Sequence, residues 1–259
     1  MKGPLRRMEQ GREMRHGMEP AMKDFLVIAH RGASFLAPEN TIPAFRMAMD
    51  LKAGMIETDI RLTADRVPVL SHDADIKRIT GTTLPIHDFT LAELLRYDFG
   101  SWFSDPFAGT RIPTLEDLLS LTKGEIPLNL EIKKDAPRSQ GIEEKILETV
   151  TARDMEDQVL ISCFDLHALK IVRDLRPAVR IGILYDGNGH WKPLLDRALE
   201  FKAVSFHPEE QSVTPDMVHA FHSREIRVYP YVVDQISRVK ELETWGVDGV
   251  FTNRPEIFR

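Results

Sequence analysis

The chain has 259 residues and a single cysteine, Cys163, which excludes an intramolecular disulfide framework. Its place in the apolar run Val159-Leu160-Ile161-Ser162-Cys163 reads as a buried, inert thiol in a reducing compartment. No window of about 18 apolar residues occurs, and the first residues lack the apolar stretch of a signal peptide, so the expectation is a cytoplasmic protein without a stable membrane anchor. Basic excess is missing too. The balance of 34 Lys and Arg against 40 Asp and Glu, a formal charge of −6, argues against nucleic acid as a partner, because such a face must neutralise phosphates.

A chain of this length buries roughly 70–75% of its unfolded surface, enough for a sizeable core. Residues 1–23 carry five methionines among Arg, Glu and Gly without periodicity and read as a loosely ordered tail. Gly3, Pro4, Gly11, Gly17 and Pro20 interrupt any amphipathic anchor there. Residues 24–259 read as one domain.

From Phe25 onward short apolar runs alternate with longer amphipathic segments, the rhythm of strand and helix. The runs 25–30, 55–60, 127–132, 159–163, 179–184, 203–207, 226–232 and 248–252 are expected strands. The segments 40–51, 114–121, 141–152, 165–175, 192–199, 214–222 and 235–244 are expected helices. Repeats of this number in about 235 residues match an α/β fold of the (β/α)8, or TIM, barrel type. One place breaks the rhythm. Only residues 61–67 separate Ile60 from the next apolar run, too few for a crossover helix, so an antiparallel hairpin turning near Ala64-Asp65-Arg66 is expected. It sets His72 roughly opposite Asp59. Residues 74–113 then form a small insertion before the second barrel helix. Its aromatics Tyr97, Phe99, Trp102, Phe103 and Phe107 suggest a lid over the leaving-group side of the barrel mouth.

Charged side chains gather at the strand ends, where barrels carry their chemistry. Glu57 and Asp59, two residues apart on one strand face, are costly to bury unless a hard, oxygen-seeking divalent cation such as Mg²⁺ or Ca²⁺ sits between them. Glu131 closes the third barrel strand and can supply a third carboxylate. Lys133 follows two residues later, and His30-Arg31 ends the first strand. Three anionic ligands, two cations and the pair His30 and His72 suit phosphoryl chemistry, in which phosphate oxygens are neutralised, one proton is removed and one is donated.

The ordered set His30-Arg31-Gly32, Pro38-Glu39-Asn40-Thr41, Glu57-x-Asp59, Leu62-Thr63-x-Asp65, His72-Asp73 with Arg78-x-Thr80-Gly81, Glu131-Ile132-Lys133 and Gly246 to Pro255 resembles the glycerophosphodiester phosphodiesterase family over about residues 25–256. The resemblance implies metal-dependent hydrolysis of small-molecule glycerophosphodiesters to sn-glycerol 3-phosphate and an alcohol. It makes His30 and His72 the acid–base pair, Glu57, Asp59 and Glu131 the metal ligands, and Arg31 and Lys133 the phosphate contacts. Glu39 and Asn40 join the site as substrate-side candidates, with a helix cap as the other role open to Asn40. Two departures stand out: Tyr229-Pro230-Tyr231 where relatives often place a Trp, and Arg66 at a turn position usually held by Gly. Tyr231 can face glycerol or pack the barrel, and His207, at a strand end, is a candidate contact to the alcohol.

Two alternatives remain open. In a lysophospholipase D-like enzyme, Phe99, Trp102, Phe103 and Phe107 would receive an acyl chain; otherwise they form the insertion's own core. A non-catalytic barrel that binds a phosphorylated ligand would need no acid–base pair.

Overall fold

The computed structural model describes residues 25–81, 83–134 and 139–259; the expected tail, residues 1–23, lies outside them. The strands are β1 (Leu26–Ala29), β2 (Met55–Leu62), β3 (Pro68–Leu70), β4 (Leu128–Ile132), β5 (Val159–Cys163), β6 (Arg180–Tyr185), β7 (Ser205–Pro208), β8 (Arg227–Val228) and β9 (Gly249–Thr252). All except β3 run parallel in the order β8-β7-β6-β5-β4-β2-β1-β9. The two ends meet through Asp248 N–H donating to the Val228 carbonyl (3.1 Å) and Phe251 N–H to the Pro230 carbonyl (2.9 Å), which nearly closes a barrel. Every expected barrel strand is present. β8 stops earlier than expected because Pro230 has no N–H to continue the ladder.

Helices Ile42–Asp50, Leu115–Thr122, Ile142–Ala152, Leu166–Leu175, Lys192–Glu200, Pro215–His222 and Ile236–Thr244 cover the outside. Their starts are set by side chains. Thr41 accepts from Ala44 N–H, Thr114 and Asp117 form a reciprocal box, and Asp165 and Thr214 cap the helices that follow them. Leu118, Leu119, Ile146, Leu147, Leu169 and Val172 on these helices are buried against strand residues such as Ile56, Leu128, Leu130 and Ile161 in the main core. None of the described helices is long and apolar enough to cross a membrane.

The hairpin forms as expected, with β3 antiparallel to β2 and Leu62 opposite Pro68. Its turn is fixed by Thr63 N–H to the Val67 carbonyl (3.1 Å) and Val67 N–H to Thr63 Oγ1 (2.9 Å). The turn centres on Asp65, so Ser71 lies opposite Asp59, donating N–H to its carbonyl at 3.0 Å, and His72 falls one residue beyond. Asp65 also accepts from Leu91 N–H (3.0 Å), which clips the insertion to the turn. The insertion has its own small core of Val69, Ile76, Ile86, Phe89, Leu94, Phe99 and Ile112. Trp102, Phe103 and Phe107 stack edge to face in sequence, at 5.7 and 5.6 Å. The aromatics therefore hold the insertion together.

Candidate active site

β1 and β2 end at the same mouth of the barrel. β2 and β4 are in register, with Asp59 beside Glu131 and Glu57 beside Asn129. Side chains two apart on a strand share a face, so Glu57, Asp59 and Glu131 converge inside the barrel top. Each offers an oxygen within 4.8 Å of the others, and all three are buried; among the described residues this is the group suited to hold a metal. Asn40 is 3% exposed and secures the arrangement: its amide donates to Asp59 Oδ2 (2.8 Å) and its oxygen accepts from Thr58 Oγ1 (2.7 Å). The helix is capped by Thr41 and not by Asn40, whose side chain lies against Asp59 instead.

Arg31 and Lys133 are turned onto these carboxylates. Arg31 N–H donates to Glu57 Oε2 (2.8 Å) and Arg31 Nε lies 3.1 Å from Asp59 Oδ2. Lys133 Nζ stands 2.9 Å from Asp59 Oδ1 and 2.5 Å from Glu131 Oε1. Glu57 Oε1 is buried with no hydrogen-bond partner among the described residues. Burial and the neighbouring Asp59 and Glu131 push the Glu57 carboxyl well up, and burial with Asp59 raises Glu131 to about 7. Burial would raise Asp59 as well, but Lys133 and Arg31 outweigh it and hold the group below the ordinary carboxylate range. Both cations thus meet at Asp59, Glu131 shares only Lys133, and Glu57 has neither side chain. The donor set fits a hard divalent ion, which would relieve the repulsion around Glu57 and Glu131 and use the unpartnered oxygen.

The two histidines are held in different ways. His30 Nδ1 meets Asn253 Oδ1 at 2.7 Å; Asn253 in turn donates its side-chain amide to Asp234 (2.7 Å), and Ser34 Oγ donates to the same Asn253 oxygen (2.9 Å). The other ring nitrogen, Nε2, is 4.0 Å from Glu57. Burial, then Arg31, lowers His30 to about 4. His72 Nδ1 meets the Asp73 carboxylate at 2.9 Å, while Arg61 Nε holds the His72 carbonyl at 3.0 Å. Burial lowers His72 too, against the pull of Asp59 and Asp73. Glu39 stands apart from the carboxylate cluster and is partly exposed: Arg31 Nη1 (3.0 Å) and Arg78 Nη2 (2.7 Å) donate to it.

A cleft of about 180 Å³ opens over the site. One wall is His30, Arg31, Glu57, His72, Glu131 and Lys133; the other is Phe164, Leu184, Tyr231, Val232 and Phe251. Tyr231 both lines the cleft and packs, since its hydroxyl donates to the Tyr185 carbonyl (2.9 Å) and its ring meets Phe164 edge-on. Asn129, also in the lining, has a buried amide oxygen with no hydrogen-bond partner among the described residues and donates to Ser162 Oγ (2.9 Å). Two expectations are corrected. None of the described residues of the insertion 74–113 lines the cleft; Phe89 and Phe99 lie in the insertion's own core, and Trp102, Phe103 and Phe107 pack edge to face on one another. His207 does not reach the cleft either; it is 1% exposed within the barrel, bonded to Ser205 Oγ (2.8 Å) and set at a tilt against the Phe251 ring. Gly182 makes room for it, since a Cβ there would stand 2.7 Å from the imidazole.

Partners that sequence reasoning left without a role are Asn253, Asp234, Asp73, Arg78 and Arg61. Asp73, Arg78 and Asn253 stand inside matched motifs, which was the available signal; Arg61 and Asp234 had none. Arg66 adopts φ 64, the left-handed conformation that glycine favours, so the turn keeps its shape and the guanidinium donates to the Gln140 carbonyl (2.8 Å).

The family model for the glycerophosphoryl diester phosphodiesterase family matches residues 30–257. The glycerophosphodiester phosphodiesterase of Caldanaerobacter subterraneus subsp. tengcongensis is 38% identical over 232 residues, 89% of this chain and 95% of the relative. Among solved structures, an Oleispira antarctica phosphodiesterase in complex with the product sn-glycerol-3-phosphate superposes with a TM-score of 0.80 at 27% identity, covering 90% of this chain and 94% of that one. The Agrobacterium tumefaciens glycerophosphodiester phosphodiesterase does so with a TM-score of 0.78 at 25% identity, covering 90% and 98%. With the family model spanning nearly all the described residues and the relative covered almost end to end, the chain belongs to the glycerophosphoryl diester phosphodiesterase family.

Proposed function

We propose that this protein hydrolyses glycerophosphodiesters to sn-glycerol 3-phosphate and an alcohol, with His30 and His72 as the acid–base pair and Glu57, Asp59 and Glu131 holding Mg²⁺ or Ca²⁺. The observation that carries this reading is the pairing of three buried, crowded carboxylates with two histidines, each fastened at Nδ1 and each lining one cleft. A bound divalent ion supplies charge neutralisation for the phosphate oxygens. Three carboxylate ligands favour Mg²⁺ or Ca²⁺ over zinc.

The chain's own groups divide the remaining work. Arg31 and Lys133 border the same oxygens and can turn from Asp59 and Glu131 to a substrate phosphate. His30 faces the neutral amide oxygen of Asn253 and stays uncharged at neutral pH, which suits it to accept a proton at Nε2 from the nucleophile. His72 faces the Asp73 carboxylate, which favours its imidazolium and suits it to donate a proton to the leaving oxygen. Water and the substrate's own 2-hydroxyl both satisfy this pairing. Accumulation of cyclic glycerol phosphate in single turnover supports the second, and solvent ¹⁸O entering without it supports the first.

The cleft is smaller than the roughly 300–1,000 Å³ sites that take drug-sized ligands, which favours a short polar diester over a lysophospholipid. The test is release of sn-glycerol 3-phosphate from glycerophosphocholine, glycerophosphoethanolamine and glycerophosphoinositol in Mg²⁺ or Ca²⁺, with lysophosphatidylcholine in parallel. Full activity in excess chelator refutes the metal's role. Preference for the lysolipid refutes the substrate class.

A further inference from the structure

We infer that Arg78, carried by the insertion, is a positioning residue that fixes His72 through Asp73 and Arg31 through Glu39. It sits in the short helix Lys77–Thr80, outside the cleft. Its Nε donates to Asp73 Oδ2 at 2.7 Å, and the other oxygen of that carboxylate meets His72 Nδ1 at 2.9 Å. Its Nη2 and Nη1 donate to Glu39 at 2.7 and 3.2 Å, and Glu39 Oε1 also accepts from Arg31 Nη1 at 3.0 Å. Trp102 stands behind the guanidinium, its ring centre 5.3 Å from Cζ.

The geometry requires arginine. A planar fork with five fixed donors can hold two carboxylates edge-on at once, whereas an ammonium is a point charge that serves one position well. The burial pattern explains why the link is needed. His72 is 37% and Asp73 29% exposed, on a hairpin arm that ends at Leu70; Arg61 of β2 holds the His72 carbonyl but not its ring, which is bonded to Asp73. Asp73 can orient the imidazole only if something orients Asp73, and among the hydrogen bonds to its carboxylate the second partner is Arg78. His30 needs no such help, being only 14% exposed and bonded to Asn253 on the barrel. The insertion thus acts on the chemistry by holding a ring in place, with Arg78 near its start and Trp102 near its end closing on each other.

The inference rests on the reading of His72 as catalytic, and a double-mutant cycle separates the two. Turnover of glycerophosphocholine in saturating Mg²⁺ is measured for the wild type, Arg78→Ala, His72→Ala and the double variant. Arg78→Ala is expected to lower kcat about 10–10²-fold with little change in KM, the scale of a misplaced catalytic group. In the His72→Ala background the same change should cost no more than about threefold, through the Glu39 arm alone. Multiplicative losses overturn the relay while leaving His72 catalytic; wild-type turnover in His72→Ala overturns the assignment of His72 itself. Arg78→Lys, which keeps the stem and the charge, should recover folding without recovering the rate, and full recovery overturns the need for the fork. A second readout does not use activity. The ¹⁵N signature of a single Nδ1–H tautomer at His72 should be present in the wild type and averaged in Arg78→Ala, and an unchanged signature overturns the proposal. Trp102→Leu should give a weaker form of both effects.

Discussion

His30 and His72 border one cleft from unlike supports. His30 follows the barrel strand β1, is only 14% exposed, and leans on Asn253 beyond the end of β9 and, through it, on Asp234. His72 is half-exposed at the end of a three-residue strand and depends on Asp73 and an arginine lent by the insertion. The barrel supplies rigidity by ladder hydrogen bonds; the hairpin has to import it from charged side chains. Burial lowers both rings, but Asp73 beside His72 opposes that shift with a full charge, where His30 has only the amide oxygen of Asn253, and the proposed acid and base roles rest on that difference.

The largest expected effect lies where both supports meet, at the carboxylate cluster. Asp59→Asn, Glu57→Gln or Glu131→Gln should each reduce turnover about 10³-fold, since each removes a charge that the metal and the flanking cations share. Mg²⁺ should raise the Tm of the wild type and not of Asp59→Asn, by mass action on the native state. A wild-type Tm indifferent to Mg²⁺, Ca²⁺ and Mn²⁺ would remove the metal site. These variants should fold, because a buried carboxylate is replaced by a neutral group of the same shape.

Next come the histidines themselves. His30→Ala and His72→Ala should each lose about 10²-fold in kcat, the usual scale of general acid–base catalysis. The comparison is sharpened by the leaving group: with a p-nitrophenyl diester, whose alcohol hardly needs a proton, His72→Ala should recover most of its loss and His30→Ala little. The reverse pattern would exchange the two roles.

The barrel half of this contrast was legible in the sequence and the insertion half was not. Glu57, Asp59 and Glu131 announce themselves because charge on the inward face of an apolar strand is costly and periodicity shows which face it occupies. All the barrel strands follow from the same alternation, except that Pro230 cut β8 short. His72 was found from the hairpin, one residue off its register partner, since past the last ladder bond nothing ties the count to a position. Arg78 could be quoted as part of a motif, but its bonds to Glu39 and Asp73 span 39 and 5 residues, and no local pattern encodes a partner that tertiary packing brings in. Trp102, Phe103 and Phe107, expected over the mouth, do not line the cleft, for a related reason. Composition shows that aromatics will be buried, not against what.

A third histidine, His207, calibrates what a ring does with neither an orienting carboxylate nor access to the cleft. Burial lowers it to about 3, below the roughly 6.5 of an unfolded chain, so the unfolded state takes up the proton first. The stability held by the neutral ring is therefore complete above about pH 6.5 and is lost as pH falls from there toward 3. Urea unfolding at pH 7 and pH 4.5 should cost the wild type about 2 kcal/mol more than His207→Gln, taking ~1.4 kcal/mol per unit as the limit for one fully buried group. Equal losses would mean that the imidazole is already hydrated in the native state.

The smallest expected effect tests how little of the hairpin's sequence His72 requires. Arg66 holds a left-handed φ of 64, which costs a side chain ~1–2 kcal/mol that glycine does not incur. Arg66→Gly removes that cost. It also gives up an exposed hydrogen bond to the Gln140 carbonyl and frees the unfolded chain, each worth up to ~1 kcal/mol in the other direction. The terms nearly cancel, so Tm should move by no more than about 4 °C. Turnover should not move, because the turn is closed by Thr63 and Val67, the insertion is clipped to it through Ala64 and Asp65, and none of these contacts uses the Arg66 side chain. A tenfold fall in kcat at unchanged Tm would show that the turn residue reaches His72 along the hairpin, and the contrast between a rigid barrel histidine and a histidine held only by its charged neighbours would have to be redrawn.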